Sequence, residues 1–134
     1  MKLESKFYNE LKRITPQITW TRLENTSVLG TPDLLGYNTH QYFFTVELKV
    51  TKSNSVRLSP HQISFHIRHP KNTFILVKTK ADCHLYLGSQ VRDLFEKGLS
   101  VKPIVRGLRE SCLYFQDIGK LMFWLFIHTS SFLI

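Results

Sequence analysis

Three charged residues lie within a mostly apolar stretch of the sequence, from Gly30 to Val50. Asp33 directly follows a proline, and Glu47 and Lys49 are one residue apart in the most hydrophobic part of the stretch. Burying an unpaired charge is very costly, so charged residues in a core strand need a partner or a function. The types and spacing of these residues therefore call for a chemical explanation.

Side chains alternate between the two faces of a strand, so Glu47 and Lys49 share one face with Thr45. The other face is apolar and consists of Val46, Leu48 and Val50. Pairing of two strands across a hairpin can bring Asp33 next to Glu47. Two adjacent carboxylates repel each other, which favours a divalent cation between them, and an oxygen-only set suits Mg²⁺ or Mn²⁺.

Such a cation would also neutralise a phosphate oxygen, and Lys49 would orient an attacking water or stabilise charge that develops on the phosphate. The alternative is a surface hairpin with an ordinary Glu–Lys pair, since the pattern E-x-K alone is common. The pattern "PD", 14 residues and "VELK" within β-branched and aromatic sequence is more specific. It favours a metal-phosphate site.

The surrounding sequence predicts a single mixed α/β domain over residues 1–134, with one central sheet flanked by helices. Residues 2–14 have apolar residues at helical spacing, and Ser59 with Pro60 can begin a second helix that ends before Pro70. Ser89 and Gly98 bound a third helix. Strands are predicted at Ile18–Glu24, Asp33–Tyr37, Gln41–Val50, 73–79 and 83–88. No succession of helices and strands is predicted beyond Lys102.

The motif "TPDLLGY…FFTVELKV" resembles the signature of the PD-(D/E)xK nuclease superfamily, and "LSPHQISFH" resembles its VRR-NUC branch, close to the archaeal-type Holliday junction resolvases. The resemblance covers roughly residues 4–80, although no "VRR" is present. It implies a restriction-endonuclease-like core that hydrolyses phosphodiester bonds with Mg²⁺. Several small members are homodimers that act on branched DNA.

The resemblance also implies roles for individual residues. The implied metal-binding residues are Asp33, Glu47, Leu48 and Glu4, the catalytic lysine is Lys49, and the supporting helix glutamine is Gln62. Both Glu4 and Glu10 border the apolar stripe of the first helix, so helical geometry does not choose between them. The distance to the PD motif in the family favours Glu4.

The net charge of the chain is +8, and the region around the motif is especially basic. Between Leu48 and Ala81 there are seven Lys and Arg residues and no acidic residue, as neutralisation of a nucleic-acid backbone would require. Gln62, His66 and His69 are predicted to form one face of a helix toward DNA, with Ile63 and Ile67 toward the core. The predicted nucleic-acid-binding residues are Lys52, Arg57, His61, His66, Arg68 and Lys71.

The C-terminal part is expected to be an extension of a core that covers about residues 2–102. Its apolar run, Leu121–Ile127, is too short to span a membrane, which needs ~20 residues, and could pack in the core or in a dimer interface. The N-terminus does not resemble a signal peptide, and Cys83 and Cys112 form no metal-type cluster, so a cytoplasmic protein is expected, such as a phage protein in its host.

The leading hypothesis is a Mg²⁺- or Mn²⁺-dependent DNA endonuclease that selects branched DNA and acts as a homodimer. A sequence-specific restriction or homing-type nuclease on the same core is a second interpretation. A third is a nuclease-fold module that binds nucleic acid without cutting it. A peripheral membrane protein would use the basic charge and the apolar tail, but it would leave Asp33 and Glu47 unexplained.

Overall fold

The computed structural model describes residues 3–23 and 29–120. Over these ranges the chain forms four α-helices and six strands, with short 3₁₀ turns at Gly88–Gln90 and Gly98–Ser100. The order is α1 (Leu3–Ile14), β1 (Thr19–Arg22), β2 (Leu34–Tyr37), β3 (Phe43–Val50), α2 (Pro60–Arg68), β4 (Thr73–Lys78), β5 (Cys83–Leu87), α3 (Val91–Lys97), β6 (Val105–Arg106) and α4 (Leu108–Asp117).

All six strands belong to one sheet, in which their order is the order along the chain. β3 and β4 are parallel, and every other neighbouring pair is antiparallel. Parallel neighbours require a crossover connection, and α2 lies within it. The observed architecture is a mixed sheet flanked by helices, which confirms the predicted α/β fold class.

The core lies on both faces of the sheet. One apolar cluster joins α1 and α4 to the sheet and includes Val46 and Leu48, as the alternation along β3 predicts. A second cluster joins α3 to the opposite face and includes Ile75 and Val77 of β4. Glu47 and Lys49 therefore face the second side of the sheet, where α2 lies.

The packed core extends past the predicted limit of residue 102. Cys112 and Phe115 of α4 are 4% and 0% exposed and belong to the first cluster. The predicted limit of the core was wrong because α4 packs on one face of the sheet and belongs to the first apolar cluster. Glu24, at the end of the predicted first strand, and the apolar run Leu121–Ile127 lie outside the described residues. Among the described helices, none is long and apolar enough to cross a membrane.

Candidate active site

The hairpin of β2 and β3 places Asp33 beside Glu47. Leu34 pairs with Val46, so Asp33, just before β2, comes next to Glu47 in the register. The Asp33 carboxylate accepts a hydrogen bond from the Leu48 backbone N–H through Oδ2, at 2.7 Å. This bond fixes the position of the carboxylate relative to β3, and the predicted proximity of the two acids is observed.

Glu47 is buried between β3 and α2, with only 2% of its surface exposed. Its Oε1 accepts a hydrogen bond of 2.7 Å from Gln62 Nε2, and Lys49 Nζ lies 3.6 Å from the same oxygen. Its other oxygen, Oε2, is buried and has no hydrogen-bond partner of good geometry among the described residues. Glu47 therefore retains one unused acceptor inside the site.

The first turn of α2 positions Gln62. Ser59 is the N-cap and Pro60 the first helical residue, as predicted, and the Ser59 hydroxyl accepts from the Gln62 N–H at 3.1 Å. In return, Gln62 Oε1 accepts from the Ser59 N–H at 3.0 Å, which completes a capping box. The same Oε1 also accepts from Lys49 Nζ at 3.0 Å. One amide thus joins the helix cap, Lys49 and Glu47.

Gly30 allows the segment that leads to Asp33 to approach α2 closely. Its φ is +84°, in the region that favours glycine, and a Cβ there would collide with the backbone carbonyl of His61. The loop before β2 and the start of α2 are therefore in direct backbone contact. Sequence reasoning did not identify Gly30 as a site residue, although a glycine three residues before Asp33 was a visible signal.

The two carboxylates are held in an environment that disfavours negative charge. Burial and the neighbouring Asp33 carboxylate raise the pKa of Glu47 to about 8, although Lys49 acts in the opposite direction. Burial also raises the pKa of Asp33, against the opposing effects of the Leu48 N–H and Lys49. A divalent cation would relieve this unfavourable charge and supply the partner that Glu47 Oε2 lacks. The residues present therefore fit a hard cation.

The number of acidic groups at the site is small. Within residues 3–23 and 29–120, no group of three or more His, Cys, Asp or Glu side chains is arranged to hold a metal ion. Asp33 and Glu47 are therefore the two carboxylates available. Mg²⁺ is usually held by one or two carboxylates, with waters and substrate phosphates completing its coordination, so two are sufficient.

Glu4 lies at the edge of the site. It is an exposed residue of α1, it lines a groove of about 750 Å³ together with Lys49, and its charge raises the pKa of Asp33. Glu10 instead forms an ion pair with Lys78 at 2.9 Å. The placement thus favours Glu4 over Glu10 as the helix acid near the site, without bringing it into a three-acid cluster.

Leu48, the remaining residue of the predicted metal set, has a side chain that is 2% exposed and belongs to the apolar core. Its backbone N–H is already used by Asp33. A contribution of Leu48 to a metal site would therefore fall to its carbonyl oxygen.

Most of the predicted nucleic-acid-binding residues lie on the surface, but His66 does not. The exposed ones are Lys52, Arg57, His61, Arg68 and Lys71. His66 is 0% exposed, and its Nδ1 lies 2.8 Å from the Gln62 carbonyl oxygen. Burial lowers the pKa of His66, so the ring is held neutral, and direct contact with DNA is excluded by its position.

The predicted orientation of α2 was wrong at Ile67. Ile67 is 42% exposed, whereas it was expected to face the core. Gln62 must face the sheet to reach Glu47, and a residue one turn later lies on the same side of the helix. His66 therefore faces the sheet as well, and the neighbouring Ile67 is rotated out to solvent. His69, the third member of the expected face, is exposed at the end of the helix.

Two further basic residues lie in a neighbouring cavity: Lys80, which belongs to the basic segment noted in the sequence, and Arg106, which the sequence did not indicate. Lys80 and Arg106 line a cavity of about 720 Å³ to which Lys52 also contributes. Lys52 lines the groove of Glu4 and Lys49 as well, so the two cavities meet at this residue. Lys80 and Arg106 are distant in sequence, and only the pairing of β4, β5 and β6 brings their segments together.

No family model matches the chain, and no curated protein matches it. Among solved structures, the chain is similar to Hjc of Archaeoglobus fulgidus, described as a Holliday junction resolvase from an archaeal hyperthermophile, with a TM-score of 0.52 and 15% identity over 64% of this chain and 78% of that one. It is also similar to a solved VRR_NUC domain, with a TM-score of 0.48 and 26% identity over 69% of this chain and 94% of that one.

The similarity to Hjc establishes the fold. The chain has the α/β fold of this archaeal resolvase, as the resemblance of its motifs predicted. Fold alone does not determine activity, so the functional conclusion has to come from the site itself.

Proposed function

We propose that the chain is a divalent-metal-dependent endonuclease that hydrolyses phosphodiester bonds of DNA. The observation that carries this proposal is the convergence of Asp33, Glu47, Lys49 and Gln62 at one buried position between β3 and α2. Two carboxylates, an ammonium group and an amide at such distances are what a metal-assisted phosphoryl transfer requires. Glu47 Oε2, a buried acceptor without a partner among the described residues, is in addition available to a metal ion.

Asp33 and Glu47 would hold a Mg²⁺ or Mn²⁺ ion through their carboxylate oxygens. When bound, such an ion polarises the phosphate and lowers the pKa of water. Because Glu47 has a raised pKa, its carboxyl group must lose a proton as the ion binds. Asp33 cannot turn away easily, since its Oδ2 is held by the Leu48 N–H.

Lys49 would stabilise the charge that develops on the scissile phosphate. Its ammonium group is oriented by Gln62 Oε1 and by Glu47, and its side chain is only 16% exposed, so the charge acts with limited screening by water. Gln62 positions Lys49 and Glu47 together and would not itself contact the phosphate. Gln62 both closes the cap of α2 and holds Lys49 and Glu47, so the cap of α2 is part of the site.

The basic surface around the site would bind the DNA backbone. Arg57 and Lys52 line the groove that contains Lys49, and Lys80 and Arg106 extend the positive surface into the neighbouring cavity. Contacts of this kind neutralise phosphates without reading base sequence. The proposed substrate preference is therefore for the shape of DNA, such as a branched structure.

The proposal includes a homodimer, since a branched substrate offers two strands that two symmetric sites could cut. Size-exclusion chromatography with light scattering at micromolar concentration tests it. A mass near twice 15.7 kDa is expected. A monomer that still cuts both strands of a junction would contradict it.

The central experiment is cleavage of a labelled panel of a single strand, a duplex, a flap, a splayed arm and a four-way junction. Each substrate is incubated with Mg²⁺, Mn²⁺ or EDTA, using the wild type, Glu47→Ala and, as a control of the same residue type outside the site, Glu10→Gln. We expect metal-dependent cutting that Glu47→Ala reduces by at least about 100-fold and that Glu10→Gln retains. Binding without cutting in either metal would refute the catalytic proposal.

A further inference from the structure

A second groove adjoins the candidate active site on the α3 side. It has a volume of about 570 Å³ and is lined by Lys49 and Gln62 at one side and by Phe95 of α3 at another. Val56 and Leu58, which also line it, are 5% and 6% exposed and belong to the second apolar cluster. The groove thus joins an apolar wall to Lys49, which would contact the scissile phosphate, and to Gln62, which positions Lys49.

Phe95 of α3 presents most of its aromatic ring to solvent. It is 54% exposed, while Val91 and Leu94 of the same helix are 1% and 0% exposed and hold α3 on the sheet. A phenylalanine left in water forgoes the stabilisation that burial of its ring would bring. The fold of α3 is therefore secured by Val91 and Leu94, and the ring of Phe95 is available to an external ligand.

We infer that Phe95 is a stacking platform for an unpaired nucleobase next to the phosphate at Lys49. This inference rests on the proposed function, because it takes a nucleic-acid strand to lie in the candidate active site. The groove combines an aromatic ring with two cationic side chains, Lys49 and Arg57, which complement the phosphates on either side of such a base. Every base has a flat π-face that can stack on an aromatic ring.

This subsite selects the state of the DNA near the cut. In a continuous duplex both faces of a base are covered by its neighbours, so a base can reach Phe95 only if it is unstacked. Single strands and flaps offer such bases at little or no cost, whereas an intact duplex must first be opened. Phe95 would therefore favour strands with unpaired nucleotides and disfavour plain duplex.

The test measures binding in EDTA, so that it does not depend on catalysis. A flap substrate carries the fluorescent base 2-aminopurine at successive unpaired positions, and a duplex of equal length serves as the paired reference. The variants are Phe95→Ala, Phe95→Trp and the matched control Phe43→Ala, which removes a ring that is 59% exposed on β3 and pairs with Tyr37. Circular dichroism and thermal melting verify that each variant is folded.

We expect the wild type to quench 2-aminopurine at one or two positions. Phe95→Ala should abolish this quenching and weaken flap binding by about 5- to 100-fold, with little change for the duplex. Phe95→Trp should retain both properties, and Phe43→Ala should behave as the wild type. If these binding results are obtained but the wild type cleaves no DNA, the nuclease proposal is refuted. The inference of a base subsite at Phe95 then still stands.

Equal quenching and equal flap affinity for Phe95→Ala and the wild type would overturn the inference, even if the wild type cuts DNA. So would a loss of affinity that is the same for flap and duplex, because that would indicate general damage to the surface. A Phe95→Ala variant that changes molecular mass in light scattering, with DNA binding unchanged, would assign the ring to a contact between copies of the chain and also overturn it.

Discussion

Replacement of Glu47 by glutamine should stabilise the metal-free protein, which is an unusual expectation for a candidate catalytic residue. Glu47 is buried, and its pKa is raised from 4.5 to about 8 by burial first and by Asp33 second. Glutamine keeps the shape of the side chain and an oxygen that can accept from Gln62 Nε2. It removes the ionisable group, whose charged form the site disfavours.

The pH dependence follows from the proton balance. Between pH 4.5 and about 8 the unfolded state has lost the Glu47 proton while the folded state still holds it, so the free energy of unfolding falls as pH rises through this window. Each pKa unit corresponds to about 1.4 kcal/mol. Relative to that of Glu47→Gln, the free energy of unfolding of the wild type should therefore fall by about 1 kcal/mol at pH 5, about 3 kcal/mol at pH 7 and about 5 kcal/mol at pH 9.

Urea unfolding in EDTA at these three pH values, followed by circular dichroism, measures the difference. The exposed residue Glu96 of α3 provides the control, since Glu96→Gln should not reproduce the trend. Addition of Mn²⁺ should then stabilise the wild type and leave Glu47→Gln nearly unchanged. Parallel pH curves for the wild type and Glu47→Gln would refute the argument, because the buried carboxyl group would then have an ordinary pKa.

Three other predictions follow from the same geometry. Gly30→Ala should lower the free energy of unfolding by about 1–3 kcal/mol, because its φ of +84° and the close His61 carbonyl leave no room for a Cβ; urea unfolding with unchanged stability would contradict this. Glu10→Gln should lower the free energy of unfolding by at most about 1 kcal/mol, because the pair of Glu10 with Lys78 is about 40% exposed. It should not alter the rate of DNA cleavage, whereas Glu4→Gln should reduce that rate. Equal cleavage rates for the two variants would contradict the placement of Glu4. Neutralisation of Lys80 and Arg106 together by glutamine should weaken DNA binding and reduce its salt dependence by about two ions, which a titration of binding against NaCl checks. An unchanged slope would remove that cavity from the DNA path.

The residues of the site were predictable because strong local rules apply to them. Alternation along β3 fixed the shared face of Glu47 and Lys49, and the Ser59–Pro60 pair marked the start of α2. The register of the β2–β3 hairpin then brought Asp33 next to Glu47, and capping set the position of Gln62. The resemblance to a nuclease motif supplied the proposed role of Gln62, which periodicity alone did not reveal.

The prediction of which face of α2 points inward was wrong at Ile67. It relied on hydrophobicity, whereas the hydrogen bonds of Gln62 determine how the helix is oriented. Ile67 is more apolar than His66, so it was expected to face the core. The helix is instead oriented by Gln62, which bonds to Glu47 and Lys49, and His66 follows it one turn later. The Nδ1 of the buried ring pairs with the Gln62 carbonyl and burial lowers the pKa of His66, while its Nε2 has no hydrogen-bond partner among the described residues.

The helix beyond Lys102 was not predicted, although Leu108, Cys112 and Phe115 lie on one helical face, because further apolar residues and a serine obscure this pattern. In α4, Cys112 and Phe115 are buried, but Leu113 and Tyr114 are 49% and 38% exposed, and Ser111 is fully buried. The Ser111 hydroxyl donates to the Gly107 carbonyl, which makes its burial possible. The buried face of α4 thus has helical spacing, but it contains a serine, while two large apolar residues lie on the exposed side.

The most direct test of the central claim is to measure Mn²⁺ occupancy and DNA cleavage on the same samples. Electron paramagnetic resonance gives bound Mn²⁺, and a labelled four-way junction gives the cleavage rate across a Mn²⁺ titration. We expect both to saturate together in the wild type, and both to be lost in Asp33→Asn and Glu47→Gln. Cleavage that persists in EDTA, or Mn²⁺ binding that is unaffected by either substitution, would contradict the assignment of Asp33 and Glu47 as the metal site.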